Sequence, residues 1–129
     1  TSKKQAKEWV ERRMLEKHST CGHINVYEFD DKMLPELNCL IFPEPNEEWA
    51  EFVMANRTKY NFTHDYDIVY GPVANDRVYL QFGLYEAEAI SVDTLIRELK
   101  TYKLIDQYLF HTDKALTALR FIESIKIEL

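Results

Sequence analysis

Apolar residues recur at helical spacing at the start of the chain and in later stretches, with short β-type runs between them. Ser2 followed by Gln5 has the spacing of a capping box, and Ala6, Trp9, Val10, Arg13 and Met14 then set a stripe on one helical face that ends near His18. Residues 19–22 break that helix, and residues 24–29 form a β-rich run before the turn residues Asp30 and Asp31. Residues 37–42, closed by Pro43 and Pro45, predict a brief strand. Asn46 is a good cap for a helix carrying Trp49, Phe52, Val53 and Asn56 on one face, with Glu47 and Glu48 at its positive end. Residues 66–70 predict a strand ended by Gly71-Pro72, and Val78, Tyr79, Phe82 and Tyr85 predict a helix over 76–87.

Ser91 caps a further helix with Val92, Leu95, Ile96 and Leu99 at helical spacing and Lys100 near its end. Residues 106–110 predict a strand, Thr112 caps a single helical turn, and residues 121–127 mix apolar and polar positions as a last strand would. The order is not a clean alternation of strand and helix, so the pattern predicts an α+β fold in one domain. A length of 129 residues fits that count, since one core then buries roughly two-thirds of the unfolded surface.

Charge narrows the classes of partner. Lys and Arg (16) are outnumbered by Asp and Glu (22), which argues against generic nucleic-acid binding through the phosphate backbone. Cys21 and Cys39 form no C-x-x-C pair and are read as reduced. No apolar run approaches the roughly 20 residues of a bilayer span, so no membrane partner is expected and the cytoplasm is the default location. The sequons at Asn56 and Asn61 are read as chance matches, and His18, His23, His64 and His111 are too dispersed for a metal site.

Two segments hold candidate chemistry. The first runs from Asp65 through Gly71-Pro72 to Tyr79, where a strand leaves by a polar turn that opens a helix. Backbone N–H groups gathered there suit an anion, with Arg77 adding charge-assisted hydrogen bonds. Also open is a plain role, with Asp76 capping the helix and Arg77 pairing with a neighbouring carboxylate, since capping alone accounts for an Asp there. The second runs from Asp106 to Thr112, where period-two alternation puts Gln107, Leu109 and His111 on one face and Asp106, Tyr108 and Phe110 on the other. If Tyr108 and Phe110 face the core, Gln107 and His111 share a face that could line a cleft. The alternative leaves Gln107 solvated on an edge and His111 hydrogen-bonded at the strand end.

The runs Asp67-Ile68-Val69, Gly71-Pro72-Val73-Ala74, Asp76-Arg77-Val78-Tyr79, Asp106-Gln107-Tyr108 and Phe110-His111-Thr112 resemble the signatures of an uncharacterised bacterial family, a domain of unknown function. Its members are similar to the mono-ADP-ribosyltransferases. Gln5-Ala6, Trp9 and Asn25-Val26-Tyr27-Glu28-Phe29-Asp30 extend the resemblance along nearly the whole chain. It implies a split β-sheet that clasps NAD, breaks the nicotinamide–ribose bond through an oxocarbenium-like state and passes ADP-ribose to a macromolecular acceptor. It further implies that Gln107 stands where relatives carry a glutamate that bonds the ribose 2′-hydroxyl. An amide can make that bond but cannot act as a general base. Arg77 and His111 are the implied contacts to NAD or acceptor.

The same resemblance implies that a strand with a His or Arg and a strand with a nicotinamide-stacking aromatic precede Thr1, that Thr1-Ser2 is the tail of the second, and that the chain alone is inactive. The rival expectation is a non-catalytic binding or interaction module, in which Trp49, Phe52, Tyr79, Phe82 and Tyr85 form either an exposed aromatic face or core.

Overall fold

The computed structural model describes residues 2–59 and 62–128. Helix α1 (Lys3–Glu16) starts where Ser2 Oγ accepts the Gln5 N–H at 3.2 Å. It ends in a Schellman motif: His18 takes the left-handed conformation (φ 52°) and the Ser19 N–H reaches back to the Met14 carbonyl at 2.8 Å. Met14 is the buried member of its apolar face. Trp9, expected on that face, is 55% exposed, and its ring lies near the guanidinium groups of Arg12 and Arg13.

Strand β1 (Cys21–Phe29) starts earlier than the β-rich run suggested, because antiparallel pairing with the last strand extends through Cys21 and Gly22. The sequence-based turn at Asp30 and Asp31 is the entry to a 3₁₀ segment, Asp31–Glu36, which Asp30 caps by accepting the Lys32 N–H. Then come β2 (Cys39–Ile41), α2 (Glu47–Thr58), β3 (Ile68–Pro72), α3 (Asp76–Glu86), α4 (Val92–Thr101), β4 (Asp106–Phe110), the single turn α5 (Asp113–Leu116) and β5 (Leu119–Glu128). Asn46, Ser91 and Thr112 cap α2, α4 and α5 through their side chains. For α3 the cap is Asn75, whose Oδ1 accepts the Val78 N–H at 3.1 Å, and not Asp76. Asp76 is already helical, and its charge sits at the positive end of the helix.

The fold is α+β with a split sheet. β1 and β5 form an antiparallel pair, with α1 packed on β1. β2, β3 and β4 form a separate sheet in that order, β2 parallel and β4 antiparallel to β3. β3 is central and nearly buried along its length, which is why its sequence reads as an apolar run with no polar alternation. It does not end before Gly71-Pro72. Both residues belong to the strand and pair with Gln107 and Asp106. Gly71 fits because a Cβ there would stand 3.0 Å from the Phe42 Cβ, and Pro72 fits as the terminal residue, its carbonyl accepting the Trp49 indole N–H at 3.0 Å.

Alternation along β3 divides the interior in two. Val69 joins Trp49, Val78, Phe82, Leu95 and Leu99 in the cluster under α2, α3 and α4. Ile68, on the opposite face, joins Leu37 and Ala115, with Phe29, Tyr108 and Phe110 packed against them. The aromatic residues of α2 and α3 are therefore core or packed against it, and do not form a free face.

Candidate functional site

The residues of β4 place the candidate site. Alternation sends Gln107, Leu109 and His111 into a cavity of about 440 Å³ bounded by α2, α3 and the helix-facing side of the three-stranded sheet. That volume lies within the about 300–1,000 Å³ typical of small-molecule sites. Asp106, Tyr108 and Phe110 take the other side. Tyr108 and Phe110 stack against Phe29, with centroids 5.1 and 5.4 Å away. Asp106 accepts from the Tyr70 hydroxyl at 3.3 Å, and burial together with that carboxylate pushes the Tyr70 phenol upward. The pairing of Gln107 with Gly71 matters here, since the residue opposite carries no side chain and leaves room beside the amide.

The remaining lining is aromatic and cationic. Trp49, Phe52 and Arg57 come from α2, Phe42 from the residue that follows β2, and Tyr79 from α3. Trp49 is held by its bond to the Pro72 carbonyl, and Arg57 lies 3.7 Å from the Tyr79 ring centroid. Among the described residues that line the cavity there is no carboxylate.

His111 meets His64 edge to face, centroids 4.5 Å apart, and His64 in turn leans on Phe52. The His64 Nδ1 accepts the Tyr66 N–H at 3.2 Å. Partial desolvation of the His111 ring, which is otherwise exposed, reinforced by the nearby His64, lowers its pKa from the ordinary histidine value. Asp67 fixes this end of the strand. Its carbonyl accepts the His111 N–H at 2.8 Å, one carboxylate oxygen accepts from the Thr112 hydroxyl at 2.6 Å, and the other accepts the Asn38 N–H at 2.8 Å. The Thr112 hydrogen bond, then the Asn38 one, holds the Asp67 carboxyl below its ordinary range.

Two of the three candidate side chains thus share the cavity, and Arg77 does not. Its guanidinium covers the Tyr102 ring at 4.3 Å, between α3 and α4. Val73 and Ala74, at the start of the turn considered for an anion, do line the cavity, but the Val73 N–H is committed to the Ile105 carbonyl and the Val78 N–H to Asn75. The residue that sequence reasoning passed over is Arg57. It follows Trp49 and Val53 at helical spacing, which is the signal that could have found it. Of the two sequons, Asn61 lies outside the described residues, as does Thr1, and the Asn56 amide donates to the Phe52 carbonyl within α2. No helix among the described residues is long and apolar enough to cross a membrane.

A family model described as "Protein of unknown function (DUF3990)" matches residues 1–121. No match was found among curated proteins or among solved structures.

Proposed function

The chain belongs to the DUF3990 family, and from that premise we propose that it is an NAD-dependent ADP-ribosyltransferase-like protein whose cavity takes NAD. One observation carries the reading: β4 turns Gln107, Leu109 and His111 together into an aromatic cavity of about 440 Å³ with a cation on its wall. Phe52 and Leu109 offer apolar surface to a ring, and the Gln107 amide can hydrogen-bond a ribose hydroxyl. The reaction breaks the bond between nicotinamide and ribose. Nicotinamide leaves with the bonding electrons, and an acceptor oxygen or nitrogen adds to the ribose carbon and gives up its proton. A macromolecule is the acceptor. His111 contributes a hydrogen bond at the far end of the strand. Arg77 stacks on Tyr102, outside this cavity.

Calorimetric titration of NAD into the protein as its gene encodes it tests this. NAD binds, and Gln107→Ala weakens binding by about 5- to 10-fold, the worth of one neutral hydrogen bond. An absence of NAD binding, or unchanged affinity in the variant, refutes the assignment.

A second reading, a binding module that retains the fold without the chemistry, is favoured by the lack of any carboxylate among the described lining residues. Gln107 cannot take a proton or stabilise an oxocarbenium ion as a carboxylate does. Release of labelled nicotinamide from NAD, assayed on the protein as its gene encodes it, separates the two. Binding with release marks the enzyme, and binding without it the module.

A further inference from the structure

We infer that Arg57 is the anion anchor of this cavity, selecting a ligand in which a phosphate or pyrophosphate group accompanies an aromatic ring. The inference deepens the NAD reading and rests on it only for the identity of the whole nucleotide.

Three features of the wall converge on it. The Arg57 guanidinium stacks over Tyr79 at 3.7 Å, and both residues line the cavity. Stacking fixes the plane of the guanidinium and removes water from one face, which leaves its N–H edges to form paired bonds to an oxyanion. No carboxylate competes for those donors: among the described residues, none lines the cavity, and none of the ion pairs engages Arg57. In a chain of formal charge −6, an exposed cation on the wall of a concavity, with no counter-charge paired to it among the described residues, concentrates positive potential there. Phe52, Val53 and Leu109, which line the cavity and keep accessible surface, supply the apolar contact for the ring attached to such an anion.

A plainer role exists for Arg57, since it lies in the last turn of α2, where a cation meets the negative end of the helix. That role explains the residue's position on the helix. It does not explain a guanidinium laid on a second element at the edge of a cavity, and it predicts a change in stability with no change in ligand preference.

The experiment titrates inorganic pyrophosphate, ADP, adenosine, NAD and nicotinamide riboside into the wild-type protein as its gene encodes it and into its Arg57→Gln and Arg57→Lys variants, with thermal unfolding run on each. Wild type binds ADP and pyrophosphate. Arg57→Gln loses about 10- to 100-fold for both, the range of a charge-assisted pair, while adenosine and nicotinamide riboside are unaffected. Arg57→Lys keeps the charge without the planar fork and falls between, which holds the test open should the Gln variant unfold. Failure of wild type to bind either anion overturns the inference, as does equal ADP affinity in all three proteins. An equal loss for adenosine and ADP overturns it too. Arg57-dependent binding of ADP and pyrophosphate with no binding of NAD or nicotinamide riboside supports the anchor and discards the NAD reading.

Discussion

His111 ties a single side chain to a pH response. Its imidazole is desolvated beside a second histidine, so the folded state binds a proton less readily than the unfolded state, whose histidine titrates near 6.5. The sign follows directly: the contribution of neutral His111 to stability is complete above about pH 6.5 and is lost as the pH falls below it, because the unfolded chain then takes up the proton first. A titration of the histidine ring protons should place His111 below 6.5, and His111→Asn should flatten the decline of stability as the pH falls below about 6.5. A midpoint at or above 6.5 would contradict the partial desolvation by its neighbours. At this scale the sequence was informative about orientation. Alternation alone put Gln107 and His111 on one face and Asp106 on the other, because a strand's side-chain period is a local property. It was silent on Arg57, whose meaning comes from Tyr79, 22 positions further along the chain.

Among the elements, the approach of α1 to β1 sets the sharpest constraint. A Cβ on Gly22 would fall 2.4 Å from Val10 Cγ1 and 3.0 Å from Met14 Sδ. Val10 is β-branched and has little rotamer freedom in a helix with which to yield. Gly22→Ala should therefore cost about 1–3 kcal/mol in denaturant unfolding, the usual cost of overpacking. A neutral result would mean that α1 sits further from the strand. The sequence located α1 by its cap and stripe, yet offered no reason for Gly22 beyond a broken helix, since the clash involves residues of two elements. The same limit explains β3. Gly71-Pro72 resembles a terminator on its own, and only the close approach of Phe42 and the indole of Trp49 makes it the end of a strand.

Across the whole molecule, Trp49 joins the layers. It is 2% exposed, packs against Phe82 across the helical layer, and bonds the last carbonyl of the central strand. Trp49→Phe removes that donor and part of the ring volume, and should lower stability by about 2–4 kcal/mol. Fluorescence offers a second reading, because Trp9 and Trp49 are the only tryptophans and differ sharply in exposure. The variant should lose the blue-shifted emission and keep that of exposed Trp9, and retention of the blue-shifted band would sink the assignment. The surface ion pairs, such as Lys4 with Glu8 and Arg13 with Glu16, are exposed and add little to this framework.

By itself the sequence determined the α+β class, the helices with the caps Ser2, Asn46, Ser91 and Thr112, and the two faces of β4. These depend on residues two to four positions apart, and such spacings act before any tertiary contact exists. The resemblance implied a split sheet, but only the tertiary structure decided which strands pair in each part, that Gly71 and Pro72 extend β3, and that Arg57 and not Arg77 stands on the wall of the cavity. Each of those outcomes turns on which distant side chain fills the space beside a residue, and local spacing does not carry that information.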